Sequence, residues 1–520
     1  MGMIPEIEAI YPEGSDLTII NTFYQYPKIE DKKKIEDDYI AIVYKDNVTQ
    51  KKHHEIIYKP EYTYYMLKDT EKIPDYNKLF IPRDKVYPIS VPFTKLERDI
   101  AERTGEMDFY RNNIINGDKK NNKKLHTERN VFFSDVTIED HYRFKFANTY
   151  TNDITKLYKG FFDIEVDGKN QVTDFPLPSD SPINCVSFYD DGTDKVYTFI
   201  LRNPENPLID IFEKDVMEGR IGYQQIHDFI INSIGGYKKA EEFGLTNTTY
   251  DLYFFDDEID LISYLFETIH RCNPDFCMGW NSSDFDLSFI IDRIIYLGYN
   301  PEDILCDKEW PVKAVKNYVD ERHKNELAER GDYTFISGDT VFIDQMIQYA
   351  SRRKAKIGSF KSFKLDDIGE KEAGVHKLDY HHITDSVIEL PYLDFKTFVF
   401  YNIMDVIVQK CIEAKTNDLE YIFSKCVMNN TSYNKGHRQT VYLINRMAAD
   451  WYKQGYIIGN NCNKWNTKPP KFLGALVGDP LHTNDFSKLK IDGRSIWVCD
   501  NLQDYDKYCC VLPKGSAILS

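Results

Sequence analysis

The sequence predicts an α/β domain over residues 156–410, preceded by a strand-rich region of mixed α/β character and followed by a helical stretch. Three observations carry that expectation. Apolar runs of strand length, FFDIEVDG (161–168), NCVSFYDDG (184–192) and KVYTFIL (195–201), follow one another with Asp-Gly turn signals between them. From Asp260 the period changes, and LISYLFETIHRC (261–272) spaces its apolar residues three to four apart, as one face of a helix requires. Strands and helices then alternate to the end of the segment, which is the pattern of a sheet covered by helices.

Taken in order, the first 110 or so residues read as short strands, DDYIAIVYKDN (37–47) and EIIYKPEYTYYML (55–67) among them. Residues 117–130, GDKKNNKKLHTERN, are polar and lysine-rich and read as a surface loop or linker. After the first helix come a buried strand, DFCMGW (275–280), and a helix, SFIIDRIIYLG (288–298). A strand, TVFIDQM (340–346), follows, and then a long helix, FKTFVFYNIMDVIVQKCIEAK (395–415).

Composition narrows the classes. The chain has 520 residues, 42% hydrophobic and 14% aromatic, which suits two to four globular domains. No run approaches the ~20 apolar residues of a membrane span, and the acidic N-terminus lacks a signal-peptide layout, so a cytoplasmic protein is expected. The ten cysteines form no CxxC pair, which points to reduced thiols and away from zinc. A net charge of −18 argues against a general coat of nucleic-acid affinity. Two local basic stretches, Lys119-Lys120 with Lys123-Lys124 and Arg352-Arg353-Lys354 with Lys356 and Lys361, read as solvated faces or as phosphate contacts.

Four acids stand where chemistry would want them. Asp163 and Glu165 are two apart on an apolar strand and project from one face. Two carboxylates on a buried strand need a cation or donors, whereas on an edge strand water would satisfy them. Asp286, with Asn281, follows a strand ending at Trp280, at the carboxyl end where open α/β sheets bind ligands; it could equally open the helix that follows. Tyr401 and Asp405 are four apart on a largely apolar helix and share a face. Brought to one point, four carboxylates repel one another unless divalent cations neutralise them, and hard oxygen ligands suit magnesium or manganese. Two such ions about 3.5–4 Å apart are the standard clamp for attack of water on a phosphodiester.

The order DIE (163–165), GWNSSDFDLSFI (279–290) and YNIMD (401–405) resembles the Exo I, II and III motifs of family B DNA polymerases, especially those of large tailed phages. FFSDVTIEDHYRFKFANTY (132–150) is similar to the segment before Exo I in those enzymes, and SFKLDDIGEKEAGVHKLDY (362–380) to the one before Exo III. The resemblance runs over roughly residues 130–510; Leu287-Ser288-Phe289 depart from it, where the family has proline and tyrosine, outside the metal ligands.

The resemblance implies a ribonuclease H-like 3′→5′ exonuclease domain at 156–410, after an N-terminal domain at 1–155 and before a helical return segment at 411–470. It implies that Asp163, Glu165 and Asp405 hold the Mg2+ or Mn2+ that activates water, with Asp163 and Asp286 sharing a second ion. Tyr401 would orient the water, and Asn281 and Phe285 would shape the pocket for the primer end. The implied partners are primer-template DNA, single-stranded 3′ ends, a C-terminal polymerase part and a sliding clamp, in the host cytoplasm if the protein is viral.

Beyond the exonuclease, KFLGALVGDPLHTN (471–484) loosely resembles the segment that couples the two active sites. SIWVCDNLQDYDKYCC (495–510) resembles the approach to polymerase motif A, with Asp504 the first candidate for its aspartate and Asp506 the second. The motif then breaks at Cys509-Cys510-Val511, leaving residues 471–508 as an incomplete palm. Three explanations stand: a split polymerase, an intein start at 509–520 with Cys510 or Cys509 as nucleophile, or a frameshift or stop. A DNA-binding module with an idle exonuclease fold and a stand-alone repair nuclease are the alternative functions.

Overall fold

The computed structural model describes residues 17–460 apart from 31–32, 76, 116–122, 145–155, 174, 324, 355–356, 358–359, 361 and 437, together with 490–491 and 494–495. At its centre lies a mixed eight-stranded sheet. Its strands are β1 (Lys159–Val166), β2 (Ile183–Asp190), β3 (Lys195–Leu201), β4 (Thr249–Phe255), β5 (Phe276–Gly279), β6 (Val315–Tyr318), β7 (Tyr333–Ile336) and β8 (Val341–Asp344), in the order β4-β3-β2-β1-β5-β8-β7-β6. The first three form an antiparallel meander, and β5 and β8 extend it parallel to β1.

β1 is therefore central, with neighbours on both sides, and the edge-strand reading of Asp163 and Glu165 is excluded. The β2–β3 hairpin closes at Asp191-Gly192, as its sequence predicts. Asp167-Gly168 closes no such hairpin: it opens the long excursion 167–182 that returns the chain to β2. There one oxygen of Asp167 accepts the Lys169 amide in a local turn, while the other is held by the Tyr392 hydroxyl and the Asn203 amide, so its side chain also anchors the loop.

Two cores lie on the two faces of the sheet. Phe162 and Ile164 of β1 pack with α1 (Glu258–Cys272) and α2 (Asp286–Tyr296) on one face. Phe161 faces the other way, toward α4 (Phe395–Thr416), which follows α3 (Gln345–Arg352). Strand alternation then sends Asp163 and Glu165 to the α4 side.

α4 is buried almost all round, so its polar residues are conspicuous: Asn402, Asp405, Gln409 and Glu413 are each no more than 2% exposed. At spacings of three and four they form one stripe. That stripe runs antiparallel along β1: Asn402 reaches Asp163, Gln409 donates to the Phe162 carbonyl, and Glu413 pairs with Lys159.

The N-terminal region is built on two three-stranded sheets. One joins Leu17–Gln25, Tyr39–Asp46 and Lys52–Tyr58; the other joins Glu61–Leu67, Val86–Pro92 and Val131–Phe132. A helix at Leu96–Thr104 packs beside them and gives the region its mixed α/β character. Of the stretch 117–130, the described residues 123–130 are not simply a surface loop: Leu125 is wholly buried in this region's core, where a lysine-rich sequence hides one leucine.

Buried charges lock this region to the central sheet. Lys45 lies 2.8 Å from Asp275, the residue just before β5, and both are 1% exposed. His54 and Trp310 both bond Asp339 at 2.9 Å. α5 (Asp418–Met428) and α6 (Gln439–Lys453) follow α4, and the strand Tyr456–Ile458 pairs with Phe80–Pro82 of the N-terminal region. Among the described residues no helix is long and apolar enough to cross a membrane.

Candidate active site

Asp163 and Glu165 sit half-buried in the carboxyl-terminal half of β1, and Asp405 is buried on the facing side of α4. One carboxylate oxygen from each lies within 4.8 Å of the other two. Three features of the fold converge to make this happen: a central strand, the pleat that aims alternate residues one way, and a largely buried helix crossing that face.

Asp286 approaches from the end of β5. Gly279 ends that strand where a Cβ would stand 2.5 Å from Ser282 Cβ, and Asn281 takes a left-handed backbone (φ 64°) that turns the chain. α2 begins at Asp286, so this residue does open a helix, but it is also 3% exposed and its Oδ1 accepts the Ile164 amide of β1 at 3.2 Å. Asp286 therefore opens the helix and also ties it to β1. Phe285 is half-buried beside Phe289, with ring centres 5.8 Å apart. Tyr401, 8% exposed, meets Tyr380 edge-on one turn before Asp405.

The electrostatics are those of acids crowded without enough counter-charge. Burial, and then Asp405, Asp286 and Glu165, push the Asp163 carboxyl well above the usual range. Burial and Asp405 push Glu165 up to about 8. Burial raises Asp286 to about 7 against two backbone N–H donors that favour its ionised form. Asp405 is also raised, by burial. Burial and the Asp405 charge push the Tyr401 phenol up, keeping it protonated. Among the described residues one cation answers this cluster: Lys377 Nζ lies 2.7 Å from Asp405 Oδ2 and 4.5 Å from the Tyr401 ring centre. Burial pulls the Lys377 ammonium down, but Asp405, Tyr401, Asp163 and Glu165 outweigh it and hold it charged.

The donor set fits a hard divalent cation. It consists of carboxylate oxygens, it retains excess negative charge, and Asp405 Oδ1 is buried with no hydrogen-bond partner among the described residues. Such an arrangement can hold metal, position a water and act on a phosphoester.

Three residues escaped the sequence reading. Lys377 lies in a polar segment where a single lysine is usually a solvated charge. Asn402 donates to Asp163 Oδ2 at 3.0 Å; its signal was an amide within an apolar helix, three residues before Asp405. Asp344, at the carboxyl end of β8, caps α3, accepts the Ser283 amide at 3.2 Å and adds to the field on Asp286.

The basic stretch at 352–354 is consumed by ion pairs: Arg352 and Arg353 with Asp418, and Lys354 with Glu329. Lys124 pairs with Glu106 at 3.1 Å. Lys119, Lys120, Lys356, Lys361, Asp504, Asp506, Cys509 and Cys510 lie outside the described residues.

Comparison with known proteins adds two findings. Residues 106–368, slightly more than half of the chain, match the model of the DNA polymerase family B exonuclease domain. That stretch contains Asp163, Glu165, Asn281, Phe285 and Asp286; Lys377, Tyr401 and Asp405 lie beyond it and join by geometry. The DNA polymerase of Autographa californica nuclear polyhedrosis virus is 23% identical over 190 residues, 35% of this chain and 18% of that polymerase. The match thus spans less than a fifth of the viral enzyme's length.

Proposed function

The chain belongs to the family B DNA polymerases through their exonuclease domain, and from that premise we propose that it trims single-stranded 3′ ends of DNA, as a proofreading exonuclease does. The observation that carries the proposal is the convergence of Asp163, Glu165 and Asp405 from β1 and α4, with Asp286 beside them.

In this reading Asp163, Glu165 and Asp405 hold one ion, and Asp163 and Asp286 share a second. Once ionised, four carboxylates against the Lys377 ammonium, the cation that meets them among the described residues, leave three negative charges, more than a single divalent ion offsets. Two Mg2+ or Mn2+ ions bound there would lower the pKa of an attacking water and stabilise the departing 3′-oxygen.

The chain's own residues do the rest. Tyr401, protonated at neutral pH, offers its hydroxyl to the water as a hydrogen-bond partner. Lys377 keeps Asp405 ionised and in place. The left-handed turn at Asn281 and the Phe285 ring form the wall against which the terminal nucleotide rests. Stacking and backbone contacts would hold the strand with little sequence preference.

The proposal extends to the architecture. The antiparallel meander β1–β3 followed by β5 and β8 parallel to β1 supports a ribonuclease H-like domain at 156–410, flanked by an N-terminal domain at 1–155 and a helical segment at 411–470. DNA synthesis would require palm, fingers and thumb acting with this domain. Primer-template DNA, and with it a sliding clamp, are the partners we propose, in the host cell.

The test is degradation of a 5′-labelled single strand with Mg2+. Stepwise shortening that keeps the label on the longer fragments supports the proposal. Binding without shortening, or immediate release of the labelled nucleotide, overturns it.

A further inference from the structure

The exonuclease reading leaves unused a buried line of polar groups behind Asp163. Asn402, wholly buried on α4, donates from Nδ2 to Asp163 Oδ2 at 3.0 Å and to the Asp163 backbone oxygen at 3.3 Å. Its Oδ1 accepts the thiol of Cys185, with Sγ 3.6 Å away. Cys185 is wholly buried on β2 and stands opposite Glu165 in the antiparallel register of β1 and β2. Opposed residues share a face of the sheet, so the thiol lies on the same side as the acids.

We propose that Asn402 and Cys185 are positioning residues that together hold the Asp163 carboxylate in one orientation for a divalent cation, the thiol setting which way the amide faces. The proposal rests on the reading of Asp163 as a metal ligand.

The chemistry of the amide gives the direction. An amide presents an acceptor on one side and donors on the other. With the thiol donating to Oδ1, the NH2 group must face Asp163, where two oxygens accept it. Turned over, the amide would set its own oxygen against both Asp163 oxygens, which in the ionised, metal-binding form of Asp163 leaves no proton between them. In the observed orientation Oδ2 of Asp163 is tied to a neutral donor. A carboxylate tethered at one oxygen cannot rotate freely, which leaves Oδ1 as the oxygen presented to a metal. Both groups are neutral, so they orient the ligand without discharging it, whereas a lysine there would compete with the cation.

Cys185 is unlike the other strand cysteine nearby. Cys277 of β5 is equally buried but belongs to the core on the far face, with Phe162 and Ile164. Truncating either thiol removes a similar volume; only Cys185 touches the line to Asp163.

The experiment is calorimetric titration of Mn2+ into the full chain, beside melting without metal, for wild type, Asn402→Ala, Cys185→Ala and Cys277→Ala. Groups that orient a metal ligand typically cost about 10–100-fold in affinity when removed, and Asn402→Ala is expected in that range. Cys185→Ala, which removes one weak donor, is expected to weaken Mn2+ binding about two- to fivefold. Cys277→Ala should leave Mn2+ affinity unchanged while lowering the melting temperature about as much as Cys185→Ala.

Equal Mn2+ affinities in wild type, Asn402→Ala and Cys185→Ala would overturn the proposal, as would equal losses in both cysteine variants. If Asn402→Ala does not fold, the cysteine pair decides. A wild type that binds Mn2+ but degrades no DNA refutes the exonuclease reading alone, because the positioning proposal is judged on binding. A wild type that binds no Mn2+ refutes the positioning proposal.

Discussion

Lys377 Nζ stands 2.7 Å from Asp405 Oδ2, and this ion pair is the counter-charge on which the acid cluster turns. Lysine and aspartate come from different elements, the segment before α4 and α4 itself, and meet over the Tyr401 ring. The ammonium lowers the pKa of Asp405, Glu165 and Asp163, each of which burial drives up.

Replacing that lysine should therefore change both rate and pH dependence. In Lys377→Met the turnover number is expected to fall about 10–100-fold, the usual effect of losing a group that orients a metal ligand. The acids, relieved of their cation, take up protons more readily, so the acidic limb of the activity profile should move to higher pH. Measuring kcat from pH 5 to 9 checks this; an unshifted limb would show that Lys377 is only a packing element.

Asp163→Ala separates catalysis from stability. Loss of a shared ligand should lower exonuclease turnover by about a thousandfold or more. The metal-free melting temperature should hold or rise, because one of several mutually repelling buried carboxylates is gone. Turnover on a labelled strand and thermal melting in a chelator measure the two effects.

The raised acids also predict how stability follows pH. Glu165 rises from the ordinary carboxylate range to about 8 and Asp286 to about 7 in the folded chain. A group whose pKa is raised on folding contributes its stability below the unfolded pKa, and that contribution is lost as pH climbs through the folded one. Metal-free protein should therefore melt at progressively lower temperature from about pH 5 to 8, by several degrees for each kcal/mol lost. Mg2+ should restore more at pH 8 than at pH 6, because binding at low pH must first displace protons. Melting curves with chelator and with Mg2+ test both trends.

The junction with the N-terminal region offers a fourth outcome. Asp275 receives Lys45 at 2.8 Å, and Lys52 stands 3.8 Å away, all three nearly or wholly buried. Asp275→Ala leaves these ammonium groups without their carboxylate and is expected to cost about 3–5 kcal/mol. Combining Lys45→Met with Asp275→Leu should recover part of that loss, because Lys52 remains but keeps its bonds to the Pro274 and Asp339 carbonyls. Denaturant unfolding of the single and double variants gives the coupling directly.

The elements that position the site were largely legible. The helix 395–415 and the strand–turn–helix around Trp280 and Asp286 lie within a residue or two of their expected ends, because long apolar runs bounded by polar residues leave little choice. Whether β1 was central or an edge was not legible, since both settings allow two carboxylates in FFDIEV; pairing with β5, more than a hundred residues later, decides it. Lys377 was hidden for the opposite reason: nothing local distinguishes a lysine that will be buried against Asp405 from one that will be solvated. Asp167-Gly168 carried a turn signal that is honoured locally, with Asp167 accepting the Lys169 amide, but the chain then runs on through residues 169–182 instead of pairing at once as a hairpin. The lysine-rich stretch 117–130 showed its charge but not the burial of Leu125.

The central claim is that the carboxylates of β1 and α4 form a divalent-cation site. Anomalous diffraction from crystals of the full chain soaked in Mn2+ tests it most directly. The account predicts a Mn2+ peak about 2.0–2.3 Å from carboxylate oxygens of Asp163, Glu165 and Asp405, as hard-oxygen coordination requires. A peak coordinated elsewhere, with these three carboxylates unliganded at saturating Mn2+, would contradict it.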